Sequence, residues 1–555
     1  MYICLINKFD EMKRLLSFLA PVVVAVTFLT VSCKSDKTPA NDPAVDAFLS
    51  EASYACALPD NPNILISLHP LQLLAKSGFA TDEEFDVLRD MVLEDLDPAS
   101  RVAVLTVLQN PALAGLDPAH PVLAAVANVE LTRGGKDMAA DFYAVVPLTS
   151  RELLLSALEK AGEKLEPDAD GRYLNASRDF AFIITDKAVV FYGLLGKNLP
   201  SDQIRSAVIK ASQKTSLSVP GKGVEKLFTG GNDLALWGDD TLAQLGYKAS
   251  GDKLDIDLIK ILGGNPGKDI CSFISLDFLP GKITLAAEAF GGNALSDRFL
   301  SWIGTPDSMA LKAFNAENAL GAGQIAFANL SDCLDFVQDV LDRSGEADGV
   351  VIADVIKAFG VDAKDLDEIG TVSGVVYLDE SRDYSFGVIA RLGKKVAGAI
   401  EKAAATTGMR KTNLGLLDAY SLGSGIYAGF VEDNALIGSR EVLTNIYGEN
   451  FLSGSRLAPV LSGNSLVVDL SREALIRMGA PSLLYDVTDY ATARLEDNKL
   501  KGSLELVLED KEHNAARTAL AMLYAYLHFR DEHVEEADYL YDDDFDYDPE
   551  FDYLY

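Results

Sequence analysis

Cys33 is the residue whose setting most clearly specifies a chemistry. Lys13-Arg14 precede an apolar run from Leu15 to Val31, and Ser32-Cys33-Lys34-Ser35-Asp36 follows it. Two cations, a hydrophobic segment and a small residue directly before a cysteine make a bacterial lipoprotein export signal. In such a signal the cysteine becomes the acylated first residue of the mature chain. The competing reading is a transmembrane helix. The run is at or below the lower length for spanning a bilayer, and Pro21 interrupts it. Met12 gives an ordinary start, with Met1 to Glu11 as an upstream extension.

Elsewhere the residue types do not assemble into a known reaction centre. A P-loop needs Gly-Lys followed by Ser or Thr, but Gly267-Lys268 is followed by Asp269 and Gly196-Lys197 by Asn198. A hydrolase elbow needs Gly-x-Ser-x-Gly, and Gly463-Asn464-Ser465-Leu466 continues with Val467. Of the five histidines, His528 and His533 are the nearest pair. Five residues apart is about 140° around a helix, so their rings diverge instead of sharing a metal. His69, directly before Pro70, reads as a turn residue at a strand–helix junction. Asp239-Asp240 and Asp332/Asp335 are carboxylate pairs of the kind glycosidases use, but helix N-terminal carboxylates are the plainer reading. Trp237 and Trp302 lie in apolar contexts and read as core. No catalytic, cofactor-binding or metal residue is assigned, and no cofactor is expected.

Composition narrows the partners. The chain has 555 residues, 48% of them hydrophobic, enough for two or three domains with cores. Its 83 acidic and 49 basic residues give a formal net charge of −34, which repels nucleic acid and anionic headgroups. Much of the excess sits in a tail from Glu535 to Tyr555 that contains no Lys or Arg; its carboxylates keep it extended and its Tyr and Phe offer contacts. Of the five cysteines, Cys4 lies in the signal region and Cys33 is the lipid site. Cys56, Cys271 and Cys333 remain, an odd set that allows one disulfide but reads better as small buried thiols.

The elements that carry these residues alternate short strands with amphipathic helices. Asn63 to Leu68 predicts a strand, Pro70 to Lys76 a helix stopped by Gly78, and Phe142 to Val146 another strand. Ser150 opens a helix through Lys160 that ends at Gly162. Phe180 to Ile184 and Ala188 to Tyr192 form a hairpin around Thr185-Asp186-Lys187. The same order returns later. Asn63 to Gly78 is echoed by Gln324 to Gly345, Asp141-Phe142-Tyr143 by Asp383-Tyr384-Ser385, and the hairpin Ile184 to Val189 by Val431 to Leu436. Asn232 to Leu236 is echoed by Asn464 to Val468, and Leu279 to Leu285 by Lys499 to Glu505. The echoes are collinear at separations of roughly 220–260 residues, a domain-sized duplication.

The expected fold is therefore α+β: two similar units, each a mostly antiparallel sheet with helices on one face, leaving a groove between them for a ligand or protein. The boundaries read as a signal over 1–33, a tether over 34–55, a first unit over 56–310 with a helical insert at about 82–127, a second unit over 311–533, and the acidic tail over 534–555.

Pro59-Asp60, Ile64-Leu65-Ile66, Leu74 to Gly78, Asn110-Pro111 and Gly115-Leu116-Asp117 with Pro121 carry a resemblance. On these motifs the chain resembles a Bacteroides-type envelope lipoprotein family catalogued as a domain of unknown function. The resemblance covers most of the mature chain, more clearly in its first half; the long tail and Asn61-Pro62 depart from it. It implies a lipoprotein of two similar α/β units and brings no catalytic residues. The functional expectation is a non-enzymatic ligand- or protein-binding module, held to the outer membrane through a lipid on Cys33. The alternative is a periplasmic or surface hydrolase using a carboxylate or Ser site. Lys34-Ser35-Asp36-Lys37 lacks the acidic stretch associated with surface export, which favours the periplasmic side.

Overall fold

A computed structural model describes residues 43–522 apart from 95, 132–137, 161, 178, 197–198, 219–222, 240, 242–270, 291–293, 345–350, 379–383, 432–433, 450, 479, 481–484 and 496–500. The signal with Cys33, the first part of the tether, His528, His533 and the acidic tail lie outside the described residues.

The first half of the chain supplies β1 (Ile64–Leu68), β2 (Val122–Leu131), β3 (Met138–Pro147), β4 (Tyr173–Ala176), β5 (Phe180–Ile184), β6 (Ala188–Leu195), β7 (Leu234–Gly238), β8 (Cys271–Leu279) and β9 (Lys282–Phe290). The second half supplies β10 (Ala319–Ala326), β11 (Thr371–Leu378), β12 (Tyr384–Arg391), β13 (Lys411–Leu414), β14 (Leu417–Gly423), β15 (Ile426–Val431), β16 (Asn434–Ser439), β17 (Leu466–Ser471), β18 (Thr488–Leu495) and β19 (Lys501–Leu508). All pairings are antiparallel, and they join the strands into one 19-stranded sheet. Its spatial order begins β4-β5-β6-β3-β2-β1-β7-β8-β9 and continues β19-β18-β17-β10-β11-β12-β16-β15-β14-β13. The halves are therefore not two separate sheets. They share one ladder where β9 meets β19, with Leu285 opposite Leu504.

Helices cover both faces of this sheet, which corrects the expectation of one covered face. The cause is visible in the strands, where neighbouring residues are both apolar. Val145 and Ile183 pack with Ile204 and Val208 of the helix Ser201–Ser212, whereas Val146 and Ile184 pack with Leu154 and Leu158 of the helix Arg151–Lys160. In the second half Ile389 and Leu436 face one core, and Ala390 and Ala435 face the helix Lys394–Thr406 on the other side. Strands buried on both faces read as continuous hydrophobic runs, not as alternation.

Local signals act as the sequence suggests. Pro70 starts the helix Pro70–Ser77, and Gly78 ends it with φ +72°. The Ser150 hydroxyl accepts the Leu153 N–H at 3.2 Å and opens Arg151–Lys160. Pro280-Gly281 turns β8 into β9, with Gly281 at φ +67° as a type II turn requires. Three boundaries differ. The expected tether is already a helix over Pro43–Glu51, because Phe48 stacks on Phe228 at 4.8 Å and draws the segment into the first core. The helical insert stops at Gly115, and Val122 opens β2, since Leu123 and Ala125 are core residues. The helix Ala294–Trp302, expected in the first unit, bridges both: Phe299 and Leu300 pack with Ala289 of β9, and the Trp302 ring lies 5.3 Å from that of Phe336 in the second half.

Candidate functional site

The site is built over β11 and β12. The helix Met309–Ala313 ends at Phe314, and the loop Asn315 to Asn318 returns the chain to β10. That loop is held rigidly. Asn315 Oδ1 accepts the Glu317 N–H at 2.6 Å, the Tyr377 hydroxyl donates to the Asn315 carbonyl at 2.8 Å, and Asn318 takes φ +59°. Asparagine tolerates this left-handed conformation better than most residues. From the other side, β16 runs into the short helix Arg440–Thr444. Between them, Gly387 of β12 carries no side chain. A Cβ there would stand 2.5 Å from Phe314 and 2.8 Å from Val442, so glycine is what lets these two side chains close over the strand.

Two residues earlier on β12, on the same face, the pattern breaks. Ser385 opens on a half-enclosed cavity of about 150 Å³. Phe314, Tyr377, Leu378 and Val442 line its inner part, and Asn315, Glu317, Asn318, Glu441 and Asn445 its rim. Ser385 is only 4% exposed, and among the described residues its Oγ has no hydrogen-bond partner. The hydroxyl therefore faces the cavity, where a ligand can reach it. Burial pushes the Tyr377 phenol well above its ordinary value, so it stays a neutral donor. No Lys, Arg or His lines the cavity among the described residues, whereas two carboxylates do.

The residues that sequence reasoning considered do not converge. Asp332 lies in the first turn of the helix Leu330–Ser344 and accepts Arg298 Nε at 2.7 Å and Trp302 Nε1 at 2.6 Å. The Arg298 guanidinium holds its carboxyl below the usual carboxylate range. Asp239 accepts Asn63 Nδ2 at 2.9 Å and the Thr241 N–H, so it braces a loop. Ser465 is buried and donates to the Gly304 carbonyl at 2.6 Å, so it is committed as a structural group. Trp237 is fully buried and Trp302 is 8% exposed, as core residues should be. Among the described residues Cys56, Cys271 and Cys333 form no disulfide; the first is buried and the others half-buried. Among the described residues there is no group of three or more His, Cys, Asp or Glu able to hold a metal, and no helix long and apolar enough to cross a membrane.

His69 does sit between β1 and the helix Pro70–Ser77, as the sequence indicates, and meets an unexpected neighbour. It lines a small enclosed space of about 10 Å³ with His120, whose Nδ1 is 2.8 Å from Asp117 Oδ2. His69 Nδ1 is buried and unpartnered, and burial holds the imidazole below its ordinary value. The space has room for about one water. This is a packing site, and the larger cavity beside Ser385 is the candidate for a ligand.

No family model matches the chain, and no curated protein does. Among solved structures it is similar to crystal form IV of TP0453, with TM-score 0.24 and 10% identity over 44% of this chain and 83% of that one. It is also similar to crystal form III of TP0453, with TM-score 0.21 and 8% identity over 70% and 96% of the two chains. These likenesses are too slight to carry an argument about fold or function.

Proposed function

We propose that this chain is a Bacteroides-type envelope lipoprotein, anchored to the outer membrane through a lipid on Cys33 and facing the periplasm. Its body is a duplicated α+β unit that works as a non-enzymatic binding module. The strand order supports duplication. Read inwards from β4 and from β13, each half gives an outer group of strands, then β3-β2-β1-β7-β8-β9 or β12-β11-β10-β17-β18-β19. The two copies have diverged where it matters for binding. Strand register shifts the sequence echo of Asp141 with Asp383 by two residues and sets Ser385 where the first half has Asp141, which accepts Asn128 Nδ2 at 2.6 Å. One copy satisfies its polar group at this position, and the other leaves it to an open cavity.

That Ser385 hydroxyl, without a partner among the described residues and set in a cavity of about 150 Å³, is the observation that carries the binding reading. A hydrolase built on Ser385 would need a base on Oγ, and no histidine lines the cavity among the described residues. The test uses the full chain. Cys33→Ala should move the protein from the membrane to the soluble envelope fraction, and the reading of an anchored protein fails if it stays. Ligand-observed NMR against cationic, neutral and anionic small molecules should find at least one class whose binding is lost in Asn445→Trp, a substitution at the exposed rim. If no class depends on that rim, the binding reading is wrong.

A further inference from the structure

We propose that the Ser385 cavity takes a primary alkylammonium group, carried by a small diamine or by a lysine side chain. The inference rests on the binding reading above and names the class of ligand. A volume of about 150 Å³ in other proteins accepts a benzene-sized molecule, far more than a single ion needs. The lining is divided in the way such a ligand is divided. Phe314, Tyr377 and Val442 offer apolar and aromatic surface to a methylene chain and its cationic end, and Glu317 and Glu441 supply negative charge at the rim. Ser385 Oγ offers an acceptor with no competing partner among the described residues, and an ammonium has three donors to give.

Other ligand classes fit less well. An anion would face two carboxylates and, among the described residues, no lining cation. A calcium ion wants six to eight oxygens around a compact centre, whereas five of the eleven lining residues are apolar or aromatic. A neutral molecule would leave Glu317 and Glu441 without a role. The net charge of −34 also concentrates cations near the whole surface, which favours capture of a positively charged ligand.

The experiment is calorimetric titration of the full chain with 1,5-diaminopentane, Nα-acetyl-lysine methylamide, 1,5-pentanediol and calcium. Saturable binding of either amine, at least tenfold tighter than of the diol, is expected. Glu317→Gln with Glu441→Gln should weaken it at least tenfold, and Ser385→Ala about threefold. The melting temperature of each unliganded variant shows that it is folded. A preference for the diamine identifies a free small molecule as the source of the amine, and a preference for the lysine derivative identifies a peptide. The inference is overturned if the diol binds as tightly as the amines, if calcium binds and they do not, or if the glutamine variants bind amines unchanged. A neutral or anionic ligand that is lost in Asn445→Trp would sink the amine assignment and leave the binding module standing. The absence of every ligand would sink both.

Discussion

At the scale of single residues, the molecule separates polar groups that are satisfied from those that are not. Asp469 is fully buried, yet it accepts Arg456 Nη1 and, at 2.7 Å, the Thr492 hydroxyl, so its charge is compensated. His69 is different. Its Nδ1 has no partner, and no side chain caps the helix Pro70–Ser77 that it precedes. Burial lowers its pKa from the ordinary 6.5, against the attraction of Asp233 and with the help of Lys76 and His120. Above that ordinary value the ring is neutral in both folded and unfolded chains and contributes nothing. As the pH falls through it, the unfolded chain takes up the proton first, so stability is lost until the folded ring also charges at lower pH. His69→Asn should remove this part of the acid sensitivity. Asparagine is also a good N-cap, worth about 0.5–1 kcal/mol over a residue that does not cap. Urea midpoints at pH 7.5 and 5.5 should therefore fall less between the two pH values in the variant than in the wild type. An equal fall in both would show that the His69 ring does not sense the fold.

At the scale of elements, two glycines that look alike in sequence do unequal work. Gly115 and Gly162 both take positive φ, +75° and +87°, near the two ends of the helix Arg151–Lys160. A Cβ on Gly162 would meet nothing within 4 Å, so Gly162→Ala should cost only the left-handed strain, about 1 kcal/mol. A Cβ on Gly115 would stand 2.1 Å from the Ser150 carbonyl and 2.8 Å from the Leu154 nitrogen. Gly115→Ala must therefore push the first turn of that helix off the sheet, and about 3 kcal/mol is expected from strain and overpacking together. Thermal unfolding of the two variants checks the difference; equal losses would mean that this helix end is not held where the backbone puts it. The comparison also shows what was legible in the sequence. Gly78, Ser150 and Gly162 announce helix ends by residue type alone, and the hairpin of β5 and β6 follows from apolar runs around a polar turn. Helices on both faces were not legible, because Val145-Val146 and Ile183-Ile184 read simply as apolar strands until their partners are known. Nor was the cavity. Its lining comes from Phe314 to Asn318, Tyr377, Ser385 and Glu441 to Asn445, ordinary residues that only register and the bare Gly387 bring together.

At the scale of the whole molecule, the question is whether one sheet makes one cooperative body. Each half has its own core, around Trp237 and Leu65 in the first and around Phe314 and Leu436 in the second. Cores this separate would let two domains unfold independently. Against that stand the ladder of β9 with β19 and the segment that follows it. Asn514 Nδ2 donates to the Phe278 carbonyl at 2.9 Å, Arg517 reaches Glu84 at 2.6 Å, and Leu520 packs beside Phe85 and Leu88. The end of the second half thus grips the insert of the first, and parting the halves would expose a sheet edge together with apolar surface. A single unfolding transition is expected. The chain carries its own probes, since its two tryptophans divide between the halves: Trp237 lies in the first core, and Trp302 packs on Phe336 in the second. In Trp302→Phe the fluorescence reports the first half, and in Trp237→Phe the second. Shrinking Trp237 costs stability in itself, so the comparison is made within each variant, between the fluorescence midpoint and that of far-UV circular dichroism. Coincident midpoints in urea for both variants are the expected result, since all-or-none unfolding makes local and global probes agree. If the fluorescence midpoint of either variant departs from that of the whole chain, the seam of β9 and β19 joins two sheets without coupling them. A ligand in the Ser385 cavity would then stabilise only its own half.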